Sequence, residues 1–206
     1  MSIPRTLLDF AGAQPMIARW SHSVLLLIDA QLEYVVGHLP LSGIEAAVRE
    51  CSRLLALARS VKAPVIHVVH HGRPGSALFN PDGPFAAVIP ELRPAADEGV
   101  VVKAFPNAFA RTNLDELIRN TGRSELVIGG FATHMCVSTT ARSALEHGYA
   151  TTVVASACAT RDLPAPSGGT LPAAMVQETA LAELADRFAT VVASPDVWSA
   201  ADEVAR

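Results

Sequence analysis

The chain is poor in aromatic residues and in charge. Only 5% of its 206 residues are Phe, Trp or Tyr, and 17% are Asp, Glu, Lys or Arg. A core short of aromatics is built from aliphatic strands and alanine-rich helices. Half of the residues are hydrophobic, enough for a large core and too many for a disordered chain. A basic run is missing as well: Lys and Arg are scattered, the net charge is −4 and the pI is near 5.9, so neither nucleic acid nor an anionic membrane is an expected partner. No stretch approaches the ~20 apolar residues of a membrane span. The N-terminal segment MSIPRTLLDFAGAQPMIARW carries Arg5, Asp9 and Arg19 and lacks the apolar region of a signal peptide. Cysteine is scarce too. Cys51, Cys136 and Cys158 are odd in number and irregularly spaced, which excludes a disulfide framework and makes a reducing cytoplasm the expected compartment.

What the sequence does have is alternation. Residues 24–28 (VLLLI) form a continuous aliphatic run, expected to be a strand buried on both faces. Ser42 and Glu45 have the spacing of a capping box, and beyond them Ile44, Ala47, Val48, Cys51, Leu54, Leu55, Ala58 and Val61 recur with helical period. Further strands are expected at residues 64–69, 100–102, 125–128, 151–154 and 190–193. Between them fall a short helix capped by Thr112, a helix from about Thr133 to His147 stopped by Gly148, and a helix with Leu181, Leu184, Ala185 and Phe188 on one side. Residues 71–94 form a Pro/Gly-rich stretch too long for an ordinary connection, and such loops are commonly functional. The pattern predicts a single α/β domain over residues 1–206, with three α/β/α layers around a six-stranded, mainly parallel sheet.

Ligands of open α/β sheets bind at the carboxyl ends of the strands. The residues that follow the predicted strands there are Asp29, His70 and His71, Lys103, the segment 129–136 and the segment 157–162. An acid, a cation and a thiol therefore meet on one rim, and Asp and Lys are costly to bury unless paired. Cys136 falls in the first turn of a predicted helix, where the helix dipole and Lys103 are expected to lower its pKa. The GGFATHM that precedes it allows a tight turn with N–H groups facing a developing oxyanion. Gln31, Phe105, Phe109 and His134 are the candidate substrate-binding residues, the two phenylalanines as an apolar wall. His67, His70 and His71 have no carboxylate at ligand spacing, so no bound metal and no cofactor are expected.

These residues resemble the isochorismatase-like cysteine hydrolases, which include nicotinamidases and N-carbamoylsarcosine amidases. The carriers are LLLIDAQLEY around Asp29, VVKAFPNAF around Lys103, ELVIGGFATHMCVSTTARSALEHGY around Cys136 and VVASACATRD after the fifth strand. The resemblance implies a Rossmann-like order of the sheet and a catalytic Asp29–Lys103–Cys136 triad. It also implies a cis peptide between Phe131 and Ala132 that turns the N–H groups of Ala132 and Cys136 into an oxyanion hole. The Asp-x-His metal segment of nicotinamidases is replaced by VVHHGRPGSALF, which lacks the Asp.

The expected activity is thus hydrolysis of an amide or carbamoyl C–N bond of a small molecule through a thioester. The alternatives are a vinyl-ether hydrolase of isochorismatase type and a catalytically idle binding protein of the same fold. The resemblance and the apolar composition further imply a homo-oligomer, dimer or tetramer.

Overall fold

The computed structural model describes residues 4–198. The aliphatic runs become six strands: β1 (Ser23–Ile28), β2 (Val65–His70), β3 (Gly99–Lys103), β4 (Glu125–Phe131), β5 (Ala150–Ala159) and, last in the chain, β8 (Thr190–Val192). They form one sheet in the order β3-β2-β1-β4-β5-β8, with every neighbouring pair parallel. The chain builds outward from β1 in one direction and from β4 in the other. The crevice between these two strands is therefore the place where a ligand meets their carboxyl ends.

The helices are α1 (Leu7–Phe10), α2 (Ile44–Ser60), α3 (Leu114–Asn120), α4 (Ser138–Glu146) and α5 (Ala173–Arg187). The period-2 geometry of β1 splits its side chains between two cores. Leu25 and Leu27 pack with Ile44, Ala47, Cys51, Leu54, Leu55 and Ala58 of α2. Val24, Leu26 and Ile28 pack with Leu114 and Ile118 of α3, Ala141 and Ala144 of α4 and Leu184 of α5. These are the three layers the alternation predicts, and among the described residues no helix is long and apolar enough to cross a membrane.

The local differences have identifiable causes. The capping box at Ser42 and Glu45 does not form. Gly43, in the left-handed region at φ 69°, is the N-cap of α2, and the Ser42 N–H instead donates to the Thr160 carbonyl. Asn113, not Thr112, is the N-cap of α3, although the Thr112 hydroxyl accepts from the Leu114 N–H at 3.2 Å. β4 does not stop at its glycines. Gly130 stays in the strand at φ 130°, where a Cβ would lie 2.1 Å from the Ile28 carbonyl oxygen. β5 runs five residues past its expected end, through an irregularity in which Ile128 pairs with Val153 but Gly130 with Cys158. A small hairpin of β6 (Leu163–Pro164) and β7 (Thr170–Leu171) lies in the connection between β5 and α5. Residues 71–94 fold over the rim through short 3₁₀ turns at Pro84–Ala86 and Pro90–Leu92, and Phe79, Ile89 and Leu92 are buried in the α2-side core.

Candidate active site

Asp29 follows the last residue of β1 and adopts φ 50°, a conformation rare outside glycine and typical of residues whose surroundings over-determine them. Lys103 ends β3 and reaches across the end of β2. Cys136 lies in a π-helical turn, Thr133–Val137, that leads into α4. The three side chains meet: Lys103 Nζ donates to Asp29 Oδ2 at 2.8 Å and to Cys136 Sγ at 3.3 Å. Asp29 is 0%, Lys103 1% and Cys136 5% exposed, so this is a buried charge cluster and not a surface ion pair. Among the described residues Asp29 Oδ1 has no hydrogen-bond partner by geometry, and the Cys136 thiol beside the carboxyl is a weak donor toward it.

Burial raises the Asp29 carboxyl above the usual carboxylate range, and Lys103, which pulls the other way, does not offset it. Burial and then Asp29 push the Cys136 thiol up to about 12, against the lowering pull of Lys103. This corrects the expectation of a thiol acidified by a helix start. The cysteine sits in a π turn ahead of the regular helix, and depth and a facing carboxylate outweigh the cation.

The peptide bond between Phe131 and Ala132 is cis. The Ala132 carbonyl accepts from the N–H groups of Met135 and Val137, and the hydroxyl of Tyr34 lies near the Ala132 backbone. Tyr34 was not singled out in the sequence. It is buried, packs edge-on to Phe79 and Phe131, and lies close enough to Asp29 and Cys136 for their charges to help burial raise its phenol pKa. A single hydroxyl five residues after Asp29 is the only sequence signal it leaves.

The other candidates part company. Gln31 is wholly buried, with its amide engaged by main chain: Oε1 accepts from the His70 N–H at 2.7 Å, and Nε2 donates to the carbonyls of His70 and Ala86. His134 is half-buried with Nδ1 2.5 Å from the Thr160 hydroxyl; burial and then Arg161 lower its pKa. Phe105 is exposed and lines a cavity of about 450 Å³ with His71, Gly72, Val102, Ala104, Ala110 and Arg111. Phe109 is buried and stacked on His147 at 4.4 Å, so the structure does not bring the two phenylalanines together as one wall. The histidines of β2 are also engaged, His67 Nε2 with Glu98 at 2.9 Å and His70 Nδ1 with Lys103 at 3.1 Å. Among the described residues no group of three or more His, Cys, Asp or Glu is placed to hold a metal, so the donor set does not fit one.

Residues 23–196 match the family model described as the isochorismatase domain. The chain belongs to the isochorismatase family. Over 186 residues, 90% of this chain and 95% of the other, it is 41% identical to a secreted isochorismatase effector of Verticillium dahliae. It is 32% identical over 150 residues to maleamate amidohydrolase of Pseudomonas putida, spanning 63% of this chain and 68% of that one. The crystal structure of an isochorismatase from Pseudomonas putida KT2440 superposes with a TM-score of 0.89 at 42% identity, covering 93% of this chain and 97% of that one. The six-stranded parallel sheet with flanking helices is thus the isochorismatase-family fold.

Proposed function

We propose that this isochorismatase-family protein is a cysteine hydrolase that cleaves an amide or carbamoyl C–N bond of a small molecule. The observation that carries the reading is one buried ammonium, Lys103 Nζ, shared between a carboxylate with an unpartnered oxygen and a thiol. Asp29 takes the Cys136 proton as the sulfur bonds to the substrate carbonyl carbon. Because the thiol is pushed up to about 12, proton transfer accompanies attack and no standing thiolate precedes it. The N–H groups of Ala132 and Cys136 receive the carbonyl oxygen as it becomes an oxyanion. Asp29 returns its proton to the leaving nitrogen, the C–N bond breaks and a thioester remains on Cys136. Asp29 then takes a proton from water, the hydroxide attacks the thioester, the C–S bond breaks and the sulfur is reprotonated. Lys103 keeps acid and thiol together throughout, and no step calls for a metal.

A maleamate amidohydrolase among the relatives supports the choice of an amide over a vinyl ether. Three buried, unpaired cysteines support a reducing, cytoplasmic setting. The exposed Val100 and Val102 on the edge strand β3 support a homo-oligomer; sedimentation as one species near 21.7 kDa would count against it. The reaction is tested with a panel of primary amides and carbamoyl compounds, read by ammonia release and by intact-mass detection of an acyl adduct on Cys136. Turnover without any acyl adduct points to ether chemistry, and no turnover on any member points to an idle binder. Prolonged chelation leaves the rate unchanged.

A further inference from the structure

An ammonium group has three N–H donors, and in a site from which water is excluded each needs an acceptor. Two of those on Lys103 go to Asp29 and Cys136. The third points at His70, the residue paired with Lys103 in the parallel register of β2 and β3, and meets Nδ1 at 3.1 Å. A ring nitrogen accepts only when it carries no proton, so the histidine is neutral with its hydrogen on Nε2. The rest of the residue is fixed. Its N–H and carbonyl are both held by the Gln31 side chain, at 2.7 and 2.9 Å, and its ring lies edge-on to Phe79 at 5.0 Å. Gln31 also holds the Ala86 carbonyl at 2.7 Å, tying the loop over the rim to the same strand end.

We propose that His70 is a positioning residue: its bare Nδ1 takes one N–H of Lys103, and Gln31 holds the histidine in place, so that the other two N–H groups stay on Asp29 and Cys136. The inference rests on the reading of those three residues as the reacting set. It assigns no proton transfer to His70, whose Nδ1 is occupied. The charged and titratable groups around the ring are Lys103 from β3 and His71 next along the chain. Burial first, then these neighbours, hold His70 at about 4, which keeps the acceptor form through the neutral range.

The test is the pH profile of Cys136 alkylation by iodoacetamide, which needs no substrate, together with kcat and KM on whichever amide is turned over. In His70→Leu the ammonium loses an acceptor and swings. Alkylation slows about tenfold near pH 8, its profile moves to higher pH, and kcat falls about tenfold with little change in KM. In His70→Asn the side-chain oxygen branches from Cγ as Nδ1 does, accepts from Lys103 and cannot titrate, so both readouts return to within about threefold of wild type. A His70→Leu profile that overlays wild type overturns the proposal, and so does a folded His70→Asn no better than His70→Leu. A long-range ¹H–¹⁵N spectrum of the wild-type histidine rings decides the matter without any variant: a proton on His70 Nδ1 at pH 7 overturns it. If Cys136→Ala keeps its turnover, the reaction assigned above falls, while the ring spectrum still judges the His70–Lys103 pair on its own.

Discussion

His67 and His70 stand on the same strand, β2, and each touches a charged group of a different kind. Around His67, every oxygen of Glu98 is satisfied. Oε1 accepts from Arg59 Nε at 2.7 Å, and Oε2 accepts from Arg59 Nη2 at 2.9 Å, from the Ala95 N–H at 2.8 Å and from His67 Nε2 at 2.9 Å. Around His70, Asp29 receives one strong donor and keeps Oδ1 unpartnered among the described residues. The protonation follows. Burial acts to raise both carboxyls, but the donors on Glu98 win and hold it down to about 2, whereas burial wins at Asp29 and raises it. The filled oxygens of Glu98 make a clasp between α2, β2 and the turn before β3, in which only His67 Nδ1 is left without a partner among the described residues. An open set of partners leaves a carboxyl poised to exchange a proton, next to a thiol that has one to give.

The comparison breaks most visibly at the thiol. Cys136→Ala should reduce turnover by roughly 10³-fold or more, because no other group near Asp29 forms the covalent intermediate. The fold should survive, since a small buried side chain is replaced by another small one. Steady-state rates alongside thermal unfolding check both halves. Activity within tenfold of wild type would remove Cys136 from the mechanism.

Lys103→Met comes next. With the ammonium gone, Asp29 is a buried carboxylate without a counter-charge, and it takes up a proton in response. The expected losses are about 10²-fold in kcat and a shift of Cys136 alkylation to higher pH, each pK unit being worth ~1.4 kcal/mol. Lys103→Arg should recover only part, because a planar guanidinium does not fit a place shaped for a point charge touching three acceptors. An unmoved alkylation profile in Lys103→Met would mean that the thiol does not feel this cation.

Why one cluster was legible in the sequence and the other was not has a physical answer. Asp29 and Lys103 each end an aliphatic run, and Cys136 follows a glycine pair closing another. A chemical residue at the carboxyl end of a buried strand announces itself by composition alone. Glu98 lies 39 residues from Arg59 and 31 from His67, and the three are joined only by how β2, α2 and the turn before β3 dock. The same holds for His70, whose meeting with Lys103 depends on the β2–β3 register, a quantity that hydrophobic period does not encode. The layers followed from alternation, and the Rossmann-like strand order from the family resemblance. The N-cap at Gly43, the irregular pairing of β5 and the π turn at Cys136 did not, because each is decided by a tertiary contact. Burial depth was illegible too, and it reversed the expected shift of the thiol.

The smallest effect on turnover is expected in the closed cluster. Glu98→Gln should change kcat by less than about twofold, since no atom of Glu98 touches the reacting set. Its effect should fall on stability. Glu98 is held down to about 2 in the folded chain from an ordinary value of 4.5, so its contribution is fully present above about pH 4.5 and is lost as the pH falls toward 2. His67 acts in the same direction in a higher window. Burial lowers its folded pKa below 6.5, so acid favours the unfolded chain, which takes up the proton more readily. At pH 7 the wild type should exceed Glu98→Gln by about 1–3 kcal/mol, the cost of weakening hydrogen bonds to a buried charge. Urea unfolding of the two proteins at a series of pH values checks this. The difference should widen below about pH 6.5, where His67 in the variant lacks the carboxylate that favours its protonated form, and close as Glu98 itself takes up a proton between 4.5 and 2. A gap that stays the same down to pH 2 would show that the carboxylate charge does not hold the clasp. A tenfold loss of kcat at pH 7 would join the two clusters, and the contrast between them would have to be given up.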